Sequence, residues 1–168
     1  MQQTLNPVLT RLRQIMTDKQ SNLTVSADVT TAAELLDLAS KVGPHICVLK
    51  THIDIIKDFT PKLIQELKAM AADQGFILFE DRKFADIGST VVKQYAEGIY
   101  QISSWADIVN IHPLVGAGSI EGISNVAQDQ GKAILLLAQM SSKGNLITPE
   151  YTEQTVDMAR EYHDTVIG

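Results

Sequence analysis

The sequence predicts an α/β protein built on a parallel sheet. Three observations carry this: short apolar runs recur every 20 to 30 residues or so, helix-type runs fill the intervals, and each apolar run ends in polar residues. The strand candidates are residues 23–28, 46–51, 76–81, 107–112 and 133–138. Near-continuous apolar strands are buried on both faces, as happens when helices form the crossovers of a parallel sheet. An open doubly wound sheet and a β/α barrel both satisfy this pattern.

The helices announce themselves in order. Residues 6–19 read as an amphipathic helix, with Asn6 as N-cap, Pro7 in the first turn, and Val8, Leu9, Leu12, Ile15 and Met16 on one stripe that covers an end of the core. Thr31 and Glu34 have the spacing of a capping box, while Thr60-Pro61 and Thr148-Pro149 each pair an N-cap with a first-turn proline. Gly43 and Gly75 are placed to stop helices. The segment His163-Asp164-Thr165-Val166-Ile167-Gly168 reads as the start of a sixth strand. An eight-unit barrel typically takes about 250 residues, so a chain of this length has room for about five to six units.

Size and composition set further bounds. The 168 residues make one domain with a real core, and no Pro/Gly/Ser linker divides them. Hydrophobic residues at 45% and charged residues at 20% are those of an ordinary globular protein. A formal net charge of -6 with dispersed lysines argues against a nucleic-acid surface, because phosphate tracking needs a basic stripe. A few local lysines can still bind an anionic small molecule. Cys47, the single cysteine, lies in the apolar run Ile46-Cys47-Val48-Leu49, so it reads as a buried hydrophobe and no intramolecular disulfide is possible. No signal-peptide core and no run of about 18 apolar residues appears, and a soluble, cytoplasmic protein without membrane contact is expected.

The chemistry concentrates in Asp81-Arg82-Lys83-Phe84-Ala85-Asp86-Ile87-Gly88, at the end of the third apolar run. Residues two apart on an extended segment share a face, so Asp81 and Lys83 should point the same way, with Asp86 following as the chain turns into a helix. A solvated loop is the simpler reading of such charges. The other strand ends argue against it: Ser26 and Asp28 end the first, Lys50, Thr51 and His52 the second, Asn110 and His112 the fourth, and Gln139, Ser141 and Ser142 the fifth. Five polar endings in succession fit a site assembled at the C-terminal face of parallel strands. Gly116-Ala117-Gly118-Ser119 lacks the rest of a dinucleotide fingerprint, and Trp105 reads as a packed helix end. No His, Cys and carboxylate spacing suits a metal, so neither metal nor cofactor is expected.

Taken together, these segments resemble the orotidine 5'-phosphate decarboxylase family, most closely the branch of the fungal enzymes and the decarboxylase half of animal UMP synthase. The resemblance rests on Ser26-Ala27-Asp28-Val29, on Leu49-Lys50-Thr51-His52 within residues 43–55, on residues 79–91 around Asp81-x-Lys83-x-x-Asp86, and on Met140-Ser141-Ser142-Lys143-Gly144. It implies a TIM-type β/α barrel, incomplete at the C-terminal end, that converts orotidine 5'-monophosphate to UMP without a cofactor, the last step of de novo pyrimidine nucleotide synthesis. It also implies a homodimer with shared active sites. By similarity, Lys50, Asp81 and Lys83 of one subunit and Asp86 of its partner form a charge network around C6 of the pyrimidine, and Lys83 delivers the proton that replaces the carboxylate. The two lysines would keep both aspartates ionised despite their mutual repulsion. Ser26, Asp28, Thr51, His52, Ile87 and Ser141 would join Lys50 and Asp81 in binding substrate, and Thr90 would reach across from the partner.

In that family the substrate phosphate is held by residues after the seventh and eighth strands. A chain ending at Gly168 stops before them, so the sequence is expected to be a piece of a longer polypeptide, with sheet edges open to pairing. Two further readings stay open: a magnesium-dependent sugar-phosphate synthase or lyase on the same scaffold, and a non-catalytic domain that dimerises.

Overall fold

A computed structural model describes residues 5–168. Helix α1 (Pro7–Lys19) precedes five βα-type repeats: β1 (Thr24–Ala27), α2 (Ala32–Val42), β2 (Val48–Thr51), α3 (Pro61–Gln74), β3 (Ile77–Phe84), α4 (Gly88–Ala96), β4 (Ile108–Ile111), α5 (Ala117–Asp129), β5 (Ala133–Leu136) and α6 (Pro149–Glu161). All neighbouring strands are parallel, and their spatial order β1-β2-β3-β4-β5 is the chain order. A doubly wound sheet reverses its order at a switch point; this one does not. Of the two architectures allowed by the apolar pattern, the order selects barrel winding. The sixth strand begins where the sequence places it, as a parallel bridge between Val166 and Ile134 of β5.

The two faces of the sheet differ in what they meet. Leu49, Leu78, Val109, Ile111, Ile134 and Leu136 point outward into the core shared with the helices. Val48, Ile77, Ile108 and Ala133 point inward and form a second cluster with Val8, against which Leu12 and Ile15 of α1 pack. Alternation along a strand separates the two sets. Helix α1 therefore closes the N-terminal end of the strands, as its stripe predicts, although Met16 at the stripe's edge is exposed. Asn6 fixes it there: its Oδ1 accepts from Val8 N at 2.9 Å, while Nδ2 donates to the carbonyls of Lys132 and Asp164 at 3.0 and 3.1 Å. Arg11 adds an ion pair to Asp107 at 2.6 Å.

The caps follow the sequence closely. Thr31 and Glu34 form the full capping box, and Thr60 and Thr148 each accept from the third residue of the helix they start. Gly75 ends α3 in the left-handed region at φ 66°. Gly43 acts differently. Its φ of -51° is helical and the chain runs on into a 3₁₀ turn, so conformational freedom is not its role. Glycine is needed there because a Cβ would collide with the Gln74 side chain and crowd Phe76. Cys47 is buried in the inner cluster, and Trp105 is buried just after a 3₁₀ turn, its Nε1 donating to Tyr100 O at 3.0 Å.

Candidate active site

Inside the barrel the side chains change from apolar to charged along the strand direction. Above the layer of Val48, Ile77 and Ile108 come Lys50 and Phe79, which are register partners, and then Asp81 and Lys83 at the end of β3. β3 runs to Phe84, three residues past the apolar run, because β4 continues to support it. The support is irregular. Glu80 pairs with Val109 and Phe84 with Ile111, so four steps on β3 match two on β4 and Asp81-Arg82-Lys83 stand opposite Asn110 alone.

Asn110 holds this bulge. Its Oδ1 accepts from Lys83 N at 2.7 Å and its Nδ2 donates to Asp81 Oδ1 at 2.6 Å. Lys83 sits at φ 51°, a conformation that costs a non-glycine residue about 1 kcal/mol or more and that clusters at functional sites. Asn110 was visible in the sequence as a polar strand end, but its bracing role was not assigned. An amide inside Ile108-Val109-Asn110-Ile111, buried on every side, was the signal.

The result is a carboxylate between two ammonium groups. Asp81 Oδ2 lies 2.8 Å from Lys50 Nζ, and Asp81 Oδ1 lies 2.5 Å from Lys83 Nζ. His52 Nε2 stands 3.2 Å from Lys50 Nζ and 3.4 Å from Asp81 Oδ2, and Asp28 Oδ1 approaches Lys50 at 3.8 Å. Burial by itself would raise the Asp81 pKa, yet the hydrogen bonds from Lys50, Lys83 and Asn110 outweigh it and hold the carboxyl below its ordinary range. Asp81 is thus an anion throughout the neutral range. The pKa of His112, just past β4, is pushed down by burial and by Lys83, against a smaller upward pull from Asp81.

The other residues expected at the site divide into two groups. Ser26 is a register partner of Lys50 on the inner side, and Ser141 is exposed in the irregular stretch after β5. The Thr51 side chain stands apart from the charged cluster. It alternates to the outer face beside Lys50, is 1% exposed, and donates to Glu80 Oε2 at 2.7 Å. Asp86 also stands apart from the cluster: it accepts from Ile87 N at 2.8 Å and Gln94 Nε2 at 2.9 Å, and among the described residues it forms no ion pair with Lys50 or Lys83. Ile87, 64% exposed, and exposed Thr90 follow it at the start of α4. That helix start is set by close packing against α5, because a Cβ on Gly88 or Gly122 would come within 3.1 Å of the other helix's backbone. The glycines at 116 and 118 thus belong to a helix start and a helix contact, not a phosphate loop. Among the described residues, no three His, Cys, Asp or Glu side chains gather as a metal site.

This geometry agrees with what the chain is similar to. The model of the Orotidine 5'-phosphate decarboxylase / HUMPS family matches residues 21–168. The chain belongs to this family. Among curated relatives, the orotidine 5'-phosphate decarboxylase of Schizosaccharomyces pombe is 47% identical over 163 residues, covering 97% of this chain and 62% of the relative. That of Rhizopus oryzae is 53% identical over 157 residues, covering 94% and 59%. The chain therefore spans about 60% of the length of the family members it matches. A crystal structure of orotidine 5'-monophosphate decarboxylase from Methanocaldococcus jannaschii superposes with a TM-score of 0.73 at 22% identity, over 84% of this chain and 67% of that one. A putative orotidine 5'-phosphate decarboxylase from Streptomyces avermitilis gives 0.64 at 23% identity, over 93% and 59%. Both likenesses bear on the fold, and both place the five strands in a family barrel.

Proposed function

We propose that this sequence serves the decarboxylation of orotidine 5'-monophosphate to UMP, the last step of de novo pyrimidine nucleotide synthesis. The observation that carries this reading is Asp81 held between Lys50 and Lys83 at 2.8 and 2.5 Å, in a chain about half identical to decarboxylase relatives over nearly its whole length. Breaking the bond between C6 and the carboxylate leaves an electron pair on a ring carbon that has no electron sink. A preorganised ammonium is the group that stabilises such a pair and then quenches it. Lys83 is that ammonium: its proton passes to C6, carbon dioxide leaves, and the neutral amine recovers a proton from solvent. Asp81 aims Lys83 before the reaction and stands where the substrate carboxylate would arrive, so repulsion there disfavours the bound ground state. Lys50 and His52 fix Asp81 from its other oxygen, and Lys50 with Asp28 faces the ribose hydroxyls. Ser26 and Ser141 contribute polar edges for the substrate.

The same reading makes the working unit a homodimer. Asp86 turned out of its own subunit's cluster, with exposed Ile87 and Thr90 beside it, supports their use in the partner's site. Substrate and product are soluble phosphorylated nucleotides, which supports action in the cytoplasm. Among the described residues no helix is long and apolar enough to cross a membrane.

A polypeptide carrying this sequence at the full length of its relatives should convert orotidine 5'-monophosphate to UMP at a rate that excess EDTA leaves unchanged. The test is a continuous absorbance assay with and without chelator. No turnover of orotidine 5'-monophosphate, with magnesium-dependent turnover of a sugar phosphate instead, would move the assignment to a sugar-phosphate synthase or lyase.

A further inference from the structure

Glu80 is a buried carboxyl directly behind the site, and no step above uses it. It neighbours Asp81 on β3 but alternates to the outer face, where it is 0% exposed. An outward position there is otherwise apolar: Leu78 and Phe84 on the same strand join the helix-facing core. A carboxyl in such surroundings is costly unless its hydrogen bonds are needed. Burial, more than any other influence, lifts its pKa to about 8, and repulsion from Asp54 and Asp81 adds to this against the hydrogen bonds it accepts.

Those hydrogen bonds all go to the end of β2. Glu80 Oε2 accepts from Thr51 Oγ1 at 2.7 Å, and both carboxyl oxygens lie 3.1 Å from Ile53 N. Ile53 opens the 3₁₀ turn Ile53–Ile55, which has no side-chain cap of its own from His52. Without Glu80, the buried Thr51 hydroxyl would keep only Phe79 O at 3.5 Å, and the buried Ile53 N–H would lose its acceptor. Glu80 thus grips the chain on both sides of His52. Thr51 and Glu80 are register partners, and on the opposite face of the same two strands Lys50 meets Asp81. One pair works in the site and the other pair lies back to back with it.

We infer that Glu80 is a positioning residue: by clamping Thr51 and Ile53 it fixes the end of β2 so that Lys50 and His52 meet Asp81. The activity readout rests on the decarboxylase reading, while the clamp itself has a readout of its own. Three variants of the full-length polypeptide decide it. Glu80→Gln keeps an oxygen that can accept from both donors, as Oε2 already does, and should hold kcat within about threefold of wild type. Glu80→Leu fills the space but leaves both donors without an acceptor; kcat should fall at least about tenfold, KM should change less, and the Ile53 amide should exchange faster with solvent. Thr51→Val removes one of the two grips and should lower kcat by a smaller factor.

A folded Glu80→Leu protein with kcat within twofold of wild type overturns the inference. So does a Glu80→Gln protein as impaired as Glu80→Leu. If the leucine variant does not fold, Thr51→Val decides, and an unchanged kcat there is the contrary result. A wild-type protein that turns over no orotidine 5'-monophosphate defeats the decarboxylase reading instead. The clamp then stands or falls on the Ile53 amide, whose protection must drop in Glu80→Leu or, failing that variant, in Thr51→Val.

Discussion

Lys83→Ala is expected to lower turnover by at least about 10³-fold while leaving the fold largely intact, because it removes the proposed proton donor and the local charge stabilisation together. The fold should survive for reasons visible in the structure. The Lys83 side chain is one-third exposed and packs in no apolar core, and Asp81 retains Lys50 and Asn110 as partners. The backbone grip of Asn110 on residue 83 uses the main-chain N–H, which alanine keeps. Alanine also bears the left-handed φ of 51° about as poorly as lysine does, so the strain at the bulge is carried over unchanged. Steady-state kinetics together with a thermal melt checks this. A folded variant within tenfold of wild-type kcat removes Lys83 from the proton-transfer role.

Mixing two inactive proteins should restore activity. Asp86→Asn and Lys83→Ala damage different chains of the same site if Asp86 serves the partner. A mixed dimer then holds one site with both lesions and one with neither. Random subunit exchange makes about half the dimers mixed, each with one working site of two, so roughly a quarter of wild-type activity should return. If Asp86 acted within its own subunit, every site in the mixture would stay damaged. The structure favours the first outcome, since Asp86 is tied to Gln94 of α4 and makes no ion pair with the Lys50, Asp81 and Lys83 cluster.

The strands and helices were legible because buried parallel strands and capped helices leave strong local signals: a run such as Ala133-Ile134-Leu135-Leu136, or the Thr31 and Glu34 box, depends on nothing far away. The winding was not, since the same apolar pattern allowed a doubly wound sheet and only the strand order separates the two. The charged cluster was legible for a similar reason. Asp81 and Lys83 are two apart, and Lys50 ends the neighbouring apolar run. What could not be read locally is the set of cross-strand dependencies. The bulge that swings Lys83 into the left-handed region exists because Asn110, 27 positions away, accepts from its N–H. Thr51 was grouped with Lys50 and His52 as one polar strand end. Strict alternation sends it to the other face, where its partner is a carboxyl that the sequence shows only as one more charge after an apolar run. Gly43 was read as a helix stop, but the crowding by Gln74 and Phe76 that requires it comes from the next helix and strand.

Cleavage should leave at C6 an electron pair that is quenched by a proton from an exchangeable group, the role proposed for Lys83. This is tested most directly by the fate of that position in heavy water. Turnover of orotidine 5'-monophosphate in D₂O with EDTA present should give UMP carrying one deuterium at C6, read as the loss of the H6 signal in the proton NMR spectrum of the product. UMP with protium at C6, or a product whose pyrimidine keeps its carboxylate, contradicts the account.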